Sequence, residues 1–195
     1  LDLAAGYEGF RQDRSAAGSD ELKQAERKTR KLEREHSALT FEMHTTDEAA
    51  WTALLEWKSQ QYRETGKSDV FSYPWTVQLI RRLAENPTSE FGGVLSALRA
   101  GSQLVAVHYG LRCRHVLHYW FPAYDRSFSR YSPGNILLCR IAQEAANDGI
   151  QRIDLGKGDE QQKVNFSNAS ELVAEGFVDQ RSMSRLARAA WNGGR

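Results

Sequence analysis

Three apolar stretches follow one another between residues 91 and 121, and only two short turns separate them. Residues 91–99, 103–112 and 115–121 each have the length and apolar content of a strand, and Ala100-Gly101-Ser102 forms the first turn. Strands joined by tight turns pair antiparallel, so these three form a meander. A doubly wound parallel sheet is excluded, because in that fold helices alternate with strands throughout.

One helix and one short strand follow the meander. A helical pattern covers residues 134–148, and residues 151–155 then have the character of a strand. A helix that connects two strands of one sheet is a crossover, which makes those two strands parallel. The sequence therefore predicts an α+β fold, with a mixed sheet, a central antiparallel meander and flanking helices.

The elements before the meander complete the predicted domain, which spans residues 38–180. Residues 38–44 alternate apolar and polar side chains, as a strand does. Thr45 and Glu48 have capping-box spacing before a helix that Gly66 ends, and Pro74 begins a second helix that stops at Asn86. Beyond the fifth strand, residues 160–166 are predicted to form one or two helical turns, and residues 171–178 a last strand.

The two ends of the chain are more polar than this domain. Residues 1–37 are predicted to be a linker, over residues 1–18, followed by a charged helix over residues 20–36. That helix has two interpretations: a solvated surface with i,i+4 charge pairs, or a basic surface for a phosphate-bearing substrate or partner. Residues 181–195 are predicted to be a basic tail or helix, with the helix over residues 185–191.

Composition excludes several classes of protein. The net charge is +1, with 26 Lys and Arg against 25 Asp and Glu, so affinity for an anion has to come from local clusters. No apolar run is long enough to span a membrane. Two cysteines exclude a disulfide scaffold and favour a reducing, cytoplasmic location. A metal site at Cys113, His115 and His118 is rejected because strand alternation puts the two histidines on opposite faces.

Residues 124–135, YDRSFSRYSPGN, join the fourth predicted strand to the helix that follows. The free N–H groups and the dipole of a helix start make Pro133, Gly134 and Asn135 receptive to an anion. Arg126 and Arg130 can add charge-assisted bonds, and serine side chains, Ser132 among them, can add hydroxyl groups. The alternative interpretation is an ordinary connecting loop.

Residues 154–166, DLGKGDEQQKVNF, follow the fifth predicted strand. Gly156 and Gly158 permit a close approach of the backbone to a ligand. Lys157 and Lys163 can pair with a phosphate or carboxylate, and Asp154 and Asp159 can accept protons. The alternative is a glycine-rich turn that Asp159 caps. Neither stretch contains the P-loop pattern.

The two stretches together resemble one family. Tyr131-Ser-Pro-Gly134 at a helix start, then GIQRIDLGKGD over residues 149–159 and Lys163, is similar to the GNAT-fold acetyltransferase-like proteins of cellulose and exopolysaccharide biosynthesis, which are relatives of the FemAB-like peptidyltransferases. The resemblance covers about residues 20–178 and implies that the chain is the C-terminal half of a protein with two GNAT-like halves. The sequence departs from the family at Gln162, where an aromatic residue commonly precedes the lysine.

The resemblance implies acyl transfer from acetyl-CoA or another acyl-CoA to a small-molecule amine, that of a sugar, a nucleotide-sugar or a similar acceptor. The amine attacks the thioester directly, with the pantetheine arm between the fourth and fifth strands and no metal. The residues expected to bind CoA are Arg126, Arg130, Ser132, Pro133, Gly134 and Asn135. Those expected to bind the acceptor are Asp154, Lys157, Asp159 and Lys163.

Candidates for catalysis are His118, Lys163 and Tyr124. His118 and His108 lie in adjacent predicted strands, and an imidazole gains and loses its proton near neutral pH, as a general base must. Either histidine can instead be a structural strand residue. The neighbouring aromatics Tyr109, Tyr119 and Trp120 are interpreted as core. Tyr124 or Tyr131 can protonate the departing thiolate, and Lys163 can stabilise the oxyanion.

Two other functions remain open on the sequence. One is aminoacyl transfer from charged tRNA, as in the FemAB-like relatives, which would use the basic side chains of residues 23–34 and 181–195. The near-neutral net charge argues against a large nucleic-acid interface of any other kind. The other is a GNAT-fold module that binds a partner and does no chemistry.

Overall fold

A computed structural model describes residues 1–158, 160–174 and 176 of the chain. The six helices in this part are α1 (Gly6–Ala16), α2 (Glu21–Glu35), α3 (Glu48–Glu64), α4 (Pro74–Glu85), α5 (Pro133–Asn147) and α6 (Gln161–Phe166). The five strands are β1 (Leu39–Glu42), β2 (Phe91–Ala100), β3 (Gln103–Cys113), β4 (Val116–Tyr124) and β5 (Arg152–Asp154). Two short 3₁₀ turns, Val70–Ser72 and Arg126–Tyr131, precede α4 and α5.

The five strands form one sheet in the order β1-β2-β3-β4-β5. The first four pair antiparallel, as the short turns of the meander require. β5 pairs parallel to β4, from Val116 opposite Arg152 to His118 opposite Asp154, because α5 carries the chain back along the sheet. The prediction of a mixed α+β sheet with an antiparallel meander is confirmed.

Helices cover both faces of the sheet. One face packs against α1, α2 and α5, which contribute Phe10, Leu32 and Ile141 to a core with Leu98 and Leu117 of the sheet. The opposite face packs against α3 and α4 in a second core, around Leu54, Ile80, Tyr109 and Phe121. β2 and β3 are therefore buried on both faces, which explains their nearly continuous apolar sequences.

The first residues of the chain are part of the folded core. Residues 1–18 were predicted to be a linker, but Gly6–Ala16 form a helix whose Phe10 is buried. The Leu3 N–H donates to the carbonyl of Gln151 at 2.7 Å, so this segment runs along the outer edge of β5. The linker interpretation was therefore wrong. The apolar residues of this segment are few, and they are buried only by elements far away in the sequence, so the local pattern does not show their burial.

Two smaller predictions also differ from the structure. α3 begins at Glu48, and Asp47 rather than Thr45 caps it, because the Asp47 carboxylate accepts a bond from the Ala49 N–H at 2.9 Å. A last strand is predicted over residues 171–178, but the described residues of this range, 171–174 and 176, do not form a strand. The helix predicted over residues 185–191 lies outside the described residues. Among the described helices, none has the length and apolar character that crossing a bilayer demands.

Candidate functional site

β4 and β5 separate after a contact of three residues. β5 ends at Asp154, whose Oδ1 accepts a bond from the Gly156 N–H at 2.8 Å. This turn, with Gly156 at φ +79°, directs the chain away from β4, and a side chain at that position would be strained. β4 continues to Tyr124, so among the described residues the side of positions 119–124 that faces away from β3 has no strand partner. We call this side the open edge of β4.

The side chains of His118 and Asp154 meet where the two strands separate. His118 Nδ1 lies 3.2 Å from Asp154 Oδ2, and each side chain is about half exposed, at 51% and 45%. His118 lies on the face opposite the buried Leu117, as strand alternation requires. A carboxylate at Nδ1 fixes the orientation of the ring and leaves Nε2 for a substrate. The structure thus brings together a predicted catalytic residue and a predicted acceptor-binding residue.

β4 contains a β-bulge directly after His118. In the pairing with β3, Tyr109 lies opposite Phe121 and Leu111 opposite His118, so Tyr119 and Trp120 together oppose Gly110. A Cβ at position 110 would lie 2.5 Å from the His118 carbonyl oxygen, so the bulge requires glycine there. Gly110 was not among the residues singled out from the sequence, although an isolated glycine within a strand is the usual signal of a bulge.

The open edge begins at the bulge and includes Pro122. Pro122 has no N–H, and proline is tolerated in a sheet where that group would face an unpaired edge.

The Pro122 carbonyl accepts a bond from Lys58 Nζ of α3 at 3.2 Å. Lys58 is buried and also donates to Gln61 Oε1 at 2.8 Å, but no carboxylate of the described residues pairs with it. Burial, with a smaller effect of Lys67, lowers the pKa of Lys58 to about 8.

A cavity of about 370 Å³, the α5 cavity, lies at the start of α5. The Asn135 and Ile136 N–H groups both donate to the Ser132 carbonyl, and a Cβ at Gly134 would have no atom within 4 Å. Gly134 therefore leaves open space at the helix start. The cavity gathers most of the residues expected to bind CoA, because its lining consists of Glu21, Tyr124, Ser129, Ser132, Pro133, Gly134, Asn135 and Asn165.

The charged side chains at this cavity differ from the expected ones. Arg126 pairs with Glu64 of α3, and Arg130 pairs with Glu35 of α2 at 3.1 Å, and neither arginine lines the cavity. The nearby cation is Lys28 of α2, whose Nζ donates to the Ser132 hydroxyl. The sequence had placed Lys28 only on a general basic surface. Its position depends on the packing of α2 against α5, which the pattern of either helix alone does not show.

A second cavity of about 470 Å³, the β5 cavity, lies beside the end of β5 and contains three of the four residues expected to bind the acceptor. Asp154, Lys157 and Lys163 all line it, whereas Asp159 lies outside the described residues. Lys163 Nζ is held 2.9 Å from Glu160 Oε2 and donates to the Lys157 carbonyl at 2.6 Å. Its ammonium group is therefore fixed on the wall of this cavity.

The structure separates Tyr124 from His118. Tyr124 lines the α5 cavity, whereas His118 lies six residues earlier on β4, roughly 20 Å away at about 3.3 Å per residue. Tyr131 is buried, and its hydroxyl donates to Glu35 Oε2 at 2.6 Å. Neither tyrosine lies at the point where β4 and β5 separate.

His108 lies in the core rather than at the cleft. Its ring stacks on Tyr119 with centroids 4.3 Å apart, and neither ring nitrogen has a partner among the described residues. Burial, with a smaller effect of Lys58, lowers the pKa of His108 to about 3, so the ring is neutral. Of the aromatics interpreted as core, Tyr109 is buried, but Trp120 is 49% exposed and that interpretation was wrong for it.

This chain is similar to one protein family and to several solved structures. A family model described as an acetyltransferase (GNAT) domain matches residues 19–164. Curated protein sequences give no match. A solved aminoglycoside acetyltransferase from an uncultured soil metagenomic sample, in complex with sisomicin, is 13% identical, with a TM-score of 0.51 over 73% of this chain and 97% of that one. A GNAT family acetyltransferase of Staphylococcus aureus is 11% identical, with a TM-score of 0.46 over 73% and 98%.

Proposed function

Because this chain belongs to the GNAT acetyltransferase family, we propose that it transfers an acyl group from acyl-CoA to the amine of a small acceptor, by direct attack on the thioester. The observation that carries the proposal is the His118–Asp154 pair at the point where β4 and β5 separate. For the acceptor we propose a sugar or nucleotide-sugar amine, as the resemblance to the cellulose and exopolysaccharide type implies. For the whole protein we propose a second GNAT-like half and a cytoplasmic location.

The donor lies along the open edge of β4. Its phosphates occupy the α5 cavity, where Gly134 leaves room at the helix start and Lys28 supplies positive charge. The amides of the pantetheine arm bind the unpaired backbone groups of the edge, as an added strand would. The thioester then lies at the far end of the edge, beside the bulge and His118. Arg126 and Arg130 assist only if they leave their present carboxylate partners.

The chemistry takes place at His118. The acceptor ammonium first gives one proton to solvent. The neutral nitrogen then attacks the thioester carbonyl carbon, and His118 Nε2 takes the second proton that this nitrogen loses. Asp154 stabilises the imidazolium that forms, and Lys163 on the wall of the β5 cavity stabilises the oxyanion or holds an anionic group of the acceptor. The C–S bond then breaks, and the imidazolium returns the proton to the departing thiolate. The products are the amide and free CoA.

The proposal is tested by calorimetry with acetyl-CoA and by thiol release in the presence of amino sugars and simple amines. We expect acetyl-CoA to bind and amine to be required for thiol release. Charged tRNA is added in a parallel thermal-shift measurement, since a ligand at about 100 times its Kd stabilises by roughly 2.7 kcal/mol. Stabilisation by charged tRNA alone would instead support aminoacyl transfer. A chain that binds neither donor would be a non-catalytic module, contrary to the proposal.

A further inference from the structure

Trp120 is a large aromatic side chain that the core does not bury. It is 49% exposed, and its ring stacks on Phe121 with centroids 4.7 Å apart and planes 14° apart. Adjacent residues of a regular strand point to opposite faces, so this stack exists only because of the bulge opposite Gly110. Phe121 itself is fixed by an edge contact with Phe71 at 5.0 Å. The indole is therefore supported on one side, and about half of its surface is exposed.

This exposed ring lies on the same face of β4 as His118. Leu117 and Tyr119 contact the core on the side of α5, so His118 points to the opposite face, on which Phe121 also packs. Trp120 lies on the same face as Phe121, because their two rings stack on each other. Two residues of a strand span roughly 7 Å, which is about the width of one six-membered ring and its substituent. A ring that rests on the indole can therefore direct an amine towards His118.

The chemistry of an indole face selects for two features of a ligand. The electron-rich face of an indole attracts the C–H bonds of a ring or the edge of a flat ring. It also attracts a cation. An amine acceptor arrives largely as an ammonium ion, so it carries the second feature already. A ring beside the amine supplies the first. An acyclic amine of the same charge lacks the stacking contribution.

We propose that Trp120 is a specificity-determining residue that binds the acceptor through a ring face, and that the acceptors of this site are amines carried on a six-membered ring. This inference rests on the proposed function, since it assigns the acceptor of the same site. The ring is either a pyranose or an aromatic ring, because both present a face of this chemistry.

The test compares three amines in a steady-state assay with acetyl-CoA: glucosamine for the pyranose, benzylamine for the aromatic ring and ethanolamine as the acyclic control. Trp120→Ala is expected to raise KM for one or both ring amines about three- to tenfold, with a smaller rise for ethanolamine, which loses only the cation contact, and KM for acetyl-CoA unchanged. Trp120→Phe keeps an aromatic face, so KM for the ring amines is expected to stay close to the parent value. The ring amine whose KM rises more in Trp120→Ala identifies the type of ring that the site binds.

Trp75→Ala is the matched control, because Trp75 is also exposed, at 64%, but lies on α4 away from β4. Binding is measured separately from turnover by the quenching of tryptophan fluorescence with each amine, in the parent and in Trp120→Phe. An equal rise in KM for all three amines in Trp120→Ala, or no rise for any of them, would overturn the inference. A parent that binds no acetyl-CoA would contradict the proposed function, and the fluorescence comparison would still decide whether Trp120 binds ring amines.

Discussion

The carbonyl oxygen of His118 occupies the space that a side chain at position 110 would need. A Cβ on Gly110 would lie 2.5 Å from that oxygen and 2.7 Å from the ring of His108. Both neighbours are fixed, one by the strand backbone and the other by its stack on Tyr119. The bulge that follows His118 on β4 therefore depends on the absence of a side chain on β3.

Gly110→Ala is expected to destabilise the chain by about 1–3 kcal/mol, the usual cost of overpacking a site that cannot relax. Urea unfolding measures this loss. Gly134→Ala is the control for the glycine-to-alanine change itself, since its methyl group meets no atom within 4 Å. Equal stability of the two variants would show that β3 and β4 move apart freely at the bulge.

Gly134→Ala is also expected to weaken acetyl-CoA binding, because its methyl group enters the α5 cavity where the phosphates are proposed to lie. We expect a loss of about tenfold in Kd, with folding stability unchanged or slightly raised, since alanine favours a helix over glycine. Calorimetry and thermal unfolding of the same preparation check both values. Unchanged affinity would place the phosphates elsewhere.

His118→Asn is expected to lower kcat by about 10²–10⁴, the usual contribution of a general base, and to remove the loss of activity at acidic pH that protonation of the base causes. Asp154→Asn keeps an oxygen for the Gly156 N–H but loses the charge beside His118, so a smaller loss of kcat is expected. His115→Asn is the control, because the exposed ring of His115 contacts the Gly149 carbonyl rather than a carboxylate. A pH–rate profile that keeps its acidic limb in His118→Asn would assign the base to another group.

Lys58 is expected to make the folding stability depend on pH. Burial holds its pKa near 8, below the ordinary value of about 10.4, so between these values the unfolded chain binds more protons than the folded one. Stability attributable to Lys58 therefore rises as pH increases from about 8 towards about 10.4, and it no longer changes below about 8, where Lys58 is protonated in both states. Urea unfolding between pH 7.5 and 9.5 should show this rise in the parent but not in Lys58→Met. Lys23→Met, at an exposed lysine, should behave as the parent does.

Phe10→Ala tests whether α1 belongs to the folded domain. Truncation of a fully buried phenylalanine costs about 3–5 kcal/mol, whereas the same change in a linker costs close to nothing. Glu8→Ala, on the exposed side of α1, controls for the change in helix propensity. Thermal unfolding of the two variants decides between these outcomes.

The parts of the fold that follow from local chemistry were predictable. Short turns determine antiparallel pairing and a helical crossover determines parallel pairing, so the direction of β5 beside β4 follows from the order of the elements, whereas the register of His118 opposite Asp154 does not. The position of Lys28 at the α5 cavity and the burial of Phe10 were not predictable, because both depend on how separate helices pack. The exposure of Trp120 follows from a bulge that the alternation pattern does not reveal.

α6 contributes to both cavities at once. Lys163 lines the β5 cavity and Asn165 lines the α5 cavity, where it donates to Glu21 at 3.0 Å. These two residues are separated by one position in a helix of six, so α6 cannot shift on one side and stay in place on the other. A ligand that moves α6 from one cavity changes the free energy of binding in the other, and thermodynamic linkage makes this effect equal in both directions. With the donor and the acceptor placed as proposed, we expect their affinities to be coupled through this short helix.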